Sequence, residues 1–119
     1  MLGPTGTLLE RYLDLLAARQ RVTASNIANA DTPGYRAREI DFRAEMQSLL
    51  YQAVPGAPYL PITVRQSWAE GAKNDGNNVH LDREMKALSE NVLRFSVASL
   101  LLQRQIRGLR NAIQEGRGG

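Results

Sequence analysis

His80 is the only histidine among the 119 residues of this chain, and cysteine is absent. Those two facts remove thiolate sites, disulfides, Cys-His pairs, HExxH zinc sites and multi-histidine metal centres together. A Ser-His-Asp set can be written from Ser67, His80 and Asp75. Nothing around them supports it, and a solvated loop is the better reading of His80. Asn74-Asp75-Gly76 lacks the alternating carboxylates and terminal Glu of a calcium loop, and no glycine is placed for a phosphate-binding turn. The expected inventory of catalytic, cofactor-binding and metal-binding residues is therefore empty, which points to a protein that is not an enzyme and carries no cofactor.

The side chains that ask for an explanation are amides. Asn26 and Asn29 lie three apart on one face of a helical stretch. Asn is a mediocre helix former, so propensity alone does not select such a pair. Just beyond them Thr32 precedes a proline and is biased out of the α region, and Pro33-Gly34 fits the central positions of a type II turn. The helix should stop near Ala30.

The elements that place these groups come from periodicity. From about Thr5 to Ala30, Leu9, Tyr12, Leu13, Leu16, Thr23, Ile27 and Ala30 return at helical steps, with Leu8, Leu15 and Val22 as an adjacent stripe. Such a helix is roughly 39 Å long. In residues 31–80, Arg38, Ile40 and Phe42 can begin an extended segment, or Phe42 to Tyr51 can form a brief helix with Met46, Leu49 and Leu50 on one side. Pro55, Pro58 and Pro61 punctuate the next stretch; Ile62-Thr63-Val64 reads as a short strand and Gly71 to Asn78 as a loop.

From Leu81 onward the signal is clearest. Leu81, Met85, Leu88, Val92, Phe95, Ser99, Leu102, Ile106, Leu109 and Ile113 step by four and three without a break. More than four such heptads argue for a coiled-coil helix of roughly 50 Å, ending in a frayed Gly116–Gly119 tail. Leu93, Val97, Leu100 and Leu101 fall off that seam, where a two-helix coiled coil shows polar side chains. The C-terminal helix thus has two apolar sides. One can meet the N-terminal helix in an antiparallel pair. The other needs cover, either from another subunit or from the middle segment through Ile40, Phe42, Met46, Tyr51, Leu60 and Trp68.

The expected fold is mainly α, with two long terminal helices in an antiparallel coiled-coil pair and a short irregular or β middle segment. Its divisions are 1–30, 31–80 and 81–119. Size allows one modest domain, and 43% hydrophobic residues with only 6% aromatics suit long helices better than a thick core. The net charge of +3 is concentrated after residue 100, where Arg104, Arg107, Arg110 and Arg117 face Glu115 alone. A nucleic-acid footprint usually needs more basic residues and aromatic partners. The sequence begins without a Sec-type leader and has no run near eighteen apolar residues, so Sec export and a membrane span are not expected.

The run Ser25-Asn26-Ile27-Ala28-Asn29-Ala30-Asp31-Thr32-Pro33-Gly34-Tyr35 resembles the N-terminal signature of the flagellar basal-body rod, hook and hook-associated proteins. Similarity resumes in Gly76-Asn77-Asn78-Val79, Leu81-Asp82-Arg83-Glu84-Met85, Leu88, Glu90-Asn91, Leu93-Arg94-Phe95 and Gly108-Leu109-Arg110. His80 stands where an Asp is common. Residues 8–38 and 76–113 carry the likeness, which is strongest to a short proximal-rod type. The FlgC-like type would carry an Ala-Ser-Arg-x-Tyr segment that is missing here.

The resemblance implies a structural subunit of a tubular drive shaft around an export channel. It further implies location in the periplasmic rod of the basal body and export by the flagellar type III system without a cleaved signal peptide. Implied partners are FlgC-, FlgF- and FlgG-like rod subunits, a FliE-like rod-base adaptor, the export gate and the MS ring, with no nucleic acid. It favours the reading in which Asn26 and Asn29 donate and accept across a packed helix junction, over simple capping of a helix end. Leu9, Leu16, Ile27, Met85, Leu88, Val92, Phe95, Leu102, Ile106 and Leu109 are then expected within the chain's own helix pair. Leu93, Val97, Leu100, Leu101, Arg104 and Arg107 are expected at a subunit interface. Tyr35 and Trp68 can anchor neighbours or serve as local core. The alternative from another class is a cytoplasmic helical adaptor or a nucleic-acid-binding helical hairpin.

Overall fold

A computed structural model describes residues 3–54, 56–67 and 72–118; Trp68 lies outside the described residues. Three helices and two short strands follow in the order α1 (Gly3–Ala28), β1 (Arg38–Glu39), α2 (Phe42–Gln52), β2 (Arg65–Gln66) and α3 (Leu81–Gly118). Pro4 sits in the first turn of α1, where its missing N–H would have no intrahelical partner. At the other end the chain leaves α1 through the expected turn. Tyr35 N donates to Thr32 O at 3.2 Å and Gly34 has φ +74°, the left-handed value that a type II turn demands after proline.

Both readings of the Arg38 to Tyr51 stretch are realised in succession. Arg38 and Glu39 pair antiparallel with Gln66 and Arg65. Asp41 then accepts a hydrogen bond from Ala44 N at 3.1 Å and caps α2. The strand expected at Ile62–Val64 falls instead at Arg65–Gln66, because register is set by Glu39 and Arg38 opposite and not by β-branched content. The α3 helix runs through Gly116 to Gly118, where a frayed tail was expected.

The two terminal helices pack antiparallel. Going up α3, Glu84 meets Asn26, Glu90 meets Arg19 at 3.8 Å, Asn91 reaches Leu16, and Arg94 meets Tyr12 at 3.3 Å. Leu15 and Leu16 are fully buried, with Ala98 on α3 and Leu49 on α2. On the other flank of α1, Phe42 packs against Tyr12 with ring centroids 6.4 Å apart, and the guanidiniums of Arg19 and Arg94 lie over its face.

The contact face of α3 is rotated from the one its apolar heptad suggests. Asn91 and Ala98 are the buried positions, Leu88, Leu102 and Leu109 are partly buried, and Met85, Val92, Phe95 and Ile106 stay exposed. Counting apolar residues overlooked the polar Asn91, whose hydrogen bonds let it occupy the middle of the interface.

Continued through Asn91 and Leu16, the antiparallel pairing sets Gly3 level with Arg104, so the last part of α3 extends roughly 20 Å past the described start of α1. Extents of 71 × 27 × 16 Å and a radius of gyration of 18.5 Å describe a rod. A compact domain of this length would have a radius near about 13 Å.

Candidate functional site

The signature run folds into a junction where α1, the 32–35 turn, β1, the 73–79 loop and the start of α3 meet. Asn26 is its centre and is fully buried. Its Oδ1 accepts from Arg38 N and from Tyr35 Oη, each at 3.0 Å. Its Nδ2 donates to Arg38 O at 2.8 Å and to Glu84 Oε1 at 3.1 Å. One amide therefore pairs with both backbone groups of Arg38 as a neighbouring strand would, and also ties that strand to α3. Every donor and acceptor site of the side chain is used.

Asn29 works locally. Its Nδ2 donates to Ser25 O at 2.8 Å and its Oδ1 accepts from Thr32 Oγ1 at 3.1 Å, which closes the helix end. The junction reading thus describes Asn26 and the capping reading describes Asn29. Ser25 Oγ bonds Tyr35 Oη at 3.3 Å, Ile27 is partly buried, and Asp31, Thr32, Pro33 and Gly34 are exposed on the turn. Tyr35 packs on a small cluster of Ala30, Ala37 and Val79 and so belongs to the local core.

The loop before α3 completes the junction. Gly76 has φ +83°, and a Cβ there would lie 3.5 Å from Gly34 Cα, so two glycine turns sit face to face. Gly34 N donates to Asp75 O at 2.8 Å. Asn77 is fully buried; its Nδ2 donates to Asn29 O and Thr32 O, both at 2.8 Å, and its Oδ1 accepts from Val79 N. Asn78 Oδ1 accepts from Ala37 N at 2.6 Å, and Lys73 Nζ donates to Ala30 O at 3.0 Å. The carbonyls of Asn29, Ala30 and Thr32, just past the C-terminus of α1, thereby accept from side chains 43 to 48 residues downstream.

Asn77, Asn78 and Asn91 were not singled out from their chemistry, although each lies in the stretches that carry the resemblance. A Gly-Asn-Asn run reads as solvated loop. The cue was its position: it abuts apolar Val79 immediately before a helix. Glu84 was missed as well. Burial pushes its carboxyl above the ordinary value, against the opposing pull of the Asn26 hydrogen bond and of Arg83 and Arg19.

Little here resembles reaction chemistry. The Asp75 carboxylate accepts from Asn77 N at 3.0 Å and serves its own turn. Among the described residues no group of three His, Cys, Asp or Glu side chains is placed to hold a metal ion, and no helix is long and apolar enough to cross a membrane.

The residues expected at a subunit interface lie on the side of α3 turned away from α1. Leu93, Val97, Leu100 and Leu101 are 67%, 52%, 49% and 45% exposed, and Arg104 and Arg107 continue the same side in solvent. The described residues of the middle segment do not cover them. Phe42 and Leu49 pack against α1 instead, and Tyr51 and Leu60 are themselves exposed. Of the residues expected inside the pair, Leu16 is buried, and Leu9, Ile27, Leu88, Leu102 and Leu109 are partly buried.

Comparison with known proteins agrees with this geometry. A sequence family described as "Flagella basal body rod protein" matches residues 13–36, the second half of α1 and the turn. The flagellar basal body rod protein FlgB of Escherichia coli (strain K12) is 35% identical over 90% of this chain and 91% of its own length. The FlgB of Salmonella typhimurium is 33% identical over the same shares. That of Borrelia hermsii is 34% identical over 76% of this chain and 81% of its own.

Proposed function

The chain belongs to the FlgB family of flagellar basal body rod proteins, and from that membership we propose how it builds the rod. It is a structural subunit of the basal body, not an enzyme, and it assembles with other flagellar basal body components. The adaptor or nucleic-acid alternative finds no support among the relatives. In our reading the α1–α3 pair lies along a tube around the export channel and the α2 and β-ribbon side faces outward. The neighbours are FlgC-, FlgF- and FlgG-like subunits, a FliE-like adaptor, the export gate and the MS ring. The chain reaches the periplasmic rod through the flagellar type III system.

The observation that carries this reading is the row Leu93, Val97, Leu100 and Leu101. It is apolar, continuous and open to water on a helix whose opposite side is already packed. A soluble monomer gains nothing from such a row, whereas a subunit that is covered by its neighbours does. Torque then passes through many repeated helix contacts, with no turnover. Leu100→Asp tests it: the chain should be made at normal level, fail to enter isolated basal bodies and abolish swimming. Normal swimming would remove the case for a second contact face.

A further inference from the structure

Two exposed stripes on this molecule match each other. On α1, Glu10, Asp14, Ala17, Arg21 and Ala24 recur at steps of four and three, with Ala17 half-buried and Asp14 bordering the pocket that Glu45, Leu49 and Gln52 of α2 also line. On α3, Leu93, Val97, Leu100, Arg104 and Arg107 do the same. Beside the α1 stripe runs an open furrow of about 470 Å³ between the helices, floored by Ala17, Val92, Phe95 and Ser96. It is wide and apolar enough to receive a ridge of leucines, and on its α1 wall the small Ala17, between the long Gln20 and Arg21, allows close approach.

We propose that the α3 ridge of one copy of this chain seats in the α1–α3 furrow of a second copy, with Arg107 on Glu10 and Arg104 on Asp14. This rests on the rod-subunit reading and specifies the partner of that same ridge. Charge complementarity fixes the orientation. With the arginines set on the two acids, the visiting α3 runs antiparallel to the host α1, and Leu100 falls on Ala17, Val97 beside Arg21, and Leu93 on Ala24. Steps of four on one stripe face steps of three on the other, and the partners stay level to within one residue, about 1.5 Å. With Leu100 kept on Ala17, the reverse orientation sets Arg104 on Arg21 and Arg107 on Ala24 and leaves Glu10 and Asp14 facing Leu93 and Val97, a like-charge contact and an uncompensated desolvation.

Antiparallel to α1 means parallel to the host α3, so the two copies point the same way. Ridge and furrow are different surfaces of one molecule. The contact is therefore heterologous, and repeating it propagates a ring or helix of like-oriented subunits where an isologous contact would close a dimer.

Because the chain has no cysteine, the introduced thiols are the only ones that copies of it carry. Full-length copies carrying Ala17→Cys and differently tagged copies carrying Leu100→Cys are co-expressed in motile cells that lack the native subunit, and isolated basal bodies are oxidised. A mixed disulfide bearing both tags is expected, and none when either variant is present alone. A Leu100→Cys homodimer would show an isologous contact and overturn the proposal. So would capture of Leu100→Cys by a different rod polypeptide, or a basal body that contains the chain without the mixed disulfide; both leave the rod role standing. Absence of the chain from basal bodies would overturn that role itself. As a second arm, Arg104→Glu with Arg107→Glu should abolish swarming, and adding Glu10→Arg with Asp14→Arg in the same chain should restore it. Failure to restore swarming would break the proposed pairing.

Discussion

At the junction end of the molecule, Asn26, Asn77 and Asn78 hand their amides to backbone groups of α1, β1 and the turn between them, and buried polar atoms find partners inside the chain. Toward the far end of α3 the same helix shows leucine and valine to water, and Gly108 interrupts it at a helix-propensity cost of about 1 kcal/mol relative to alanine. The first region is complete in one chain; the second, in the reading proposed above, is complete only with a neighbour. A directional polar junction sets the angle between strand, turn and helices before assembly. Non-directional apolar surface would then supply the proposed adhesion to neighbouring subunits. Substitutions at the two ends should therefore separate stability from assembly.

The largest effect on the isolated full-length chain should come from Asn26→Ala. It strands Arg38 N and Arg38 O, takes a donor from the Glu84 carboxylate and leaves Tyr35 Oη with Ser25 Oγ alone, and a buried polar group left unpaired costs about 1–3 kcal/mol. A loss of about 3 kcal/mol or more is expected in urea unfolding. A change under about 1 kcal/mol would mean that the junction is not what orders this end of the molecule.

Asn91→Leu makes the comparison sharper, because Asn91 is an asparagine of the opposite kind. Its Nδ2 donates to Leu16 O and Gln20 Oε1, but its Oδ1 is buried without a partner, alone in this among the described residues. Leucine forfeits two hydrogen bonds and also relieves one orphaned oxygen at similar volume, so the net change should stay within about 1 kcal/mol of zero. Equal losses for Asn26 and Asn91 would show that burial alone, not satisfaction of the amide, governs both sites. Leu100→Asp should move the unfolding midpoint still less, by about 0.5 kcal/mol, because its side chain is already in water. The same variant is expected to abolish swimming, which is the separation that the two ends imply.

How far these regions could be read from sequence follows from the same difference. Helix lengths, the Pro33-Gly34 turn and the outward row at Leu93 to Leu101 were legible because periodicity and glycine conformation are local. The rotation of α3 was not. Leu88, Leu102 and Leu109 lie between two possible faces, and only Asn91, a polar residue, marks which one meets α1. Asn77 and Asn78 were obscure for a related reason: Asn77 donates to carbonyls 48 and 45 residues away and Asn78 accepts from an N–H 41 residues away, and no local pattern reports a contact at that separation. The strand at Arg65–Gln66 carries charged and amide side chains and is held by pairing with β1, so propensity pointed two residues too early.

The smallest expected effect concerns Glu84, where the junction is least settled. Burial raises its carboxyl above the ordinary value, so the folded chain holds that proton more tightly than the unfolded chain does. Stability from this group is therefore greatest below the ordinary carboxylate range and is lost as pH rises through the raised value. Glu84→Gln keeps an oxygen for Asn26 Nδ2 and removes the titration. Its unfolding free energy, compared with the parent's, should rise relative to it between pH 4 and pH 7. A difference independent of pH would place the Glu84 carboxylate in water. Asn26 would then hold only the strand and Tyr35, and the link from junction to α3 would fall to Asn77 and the two facing glycine turns.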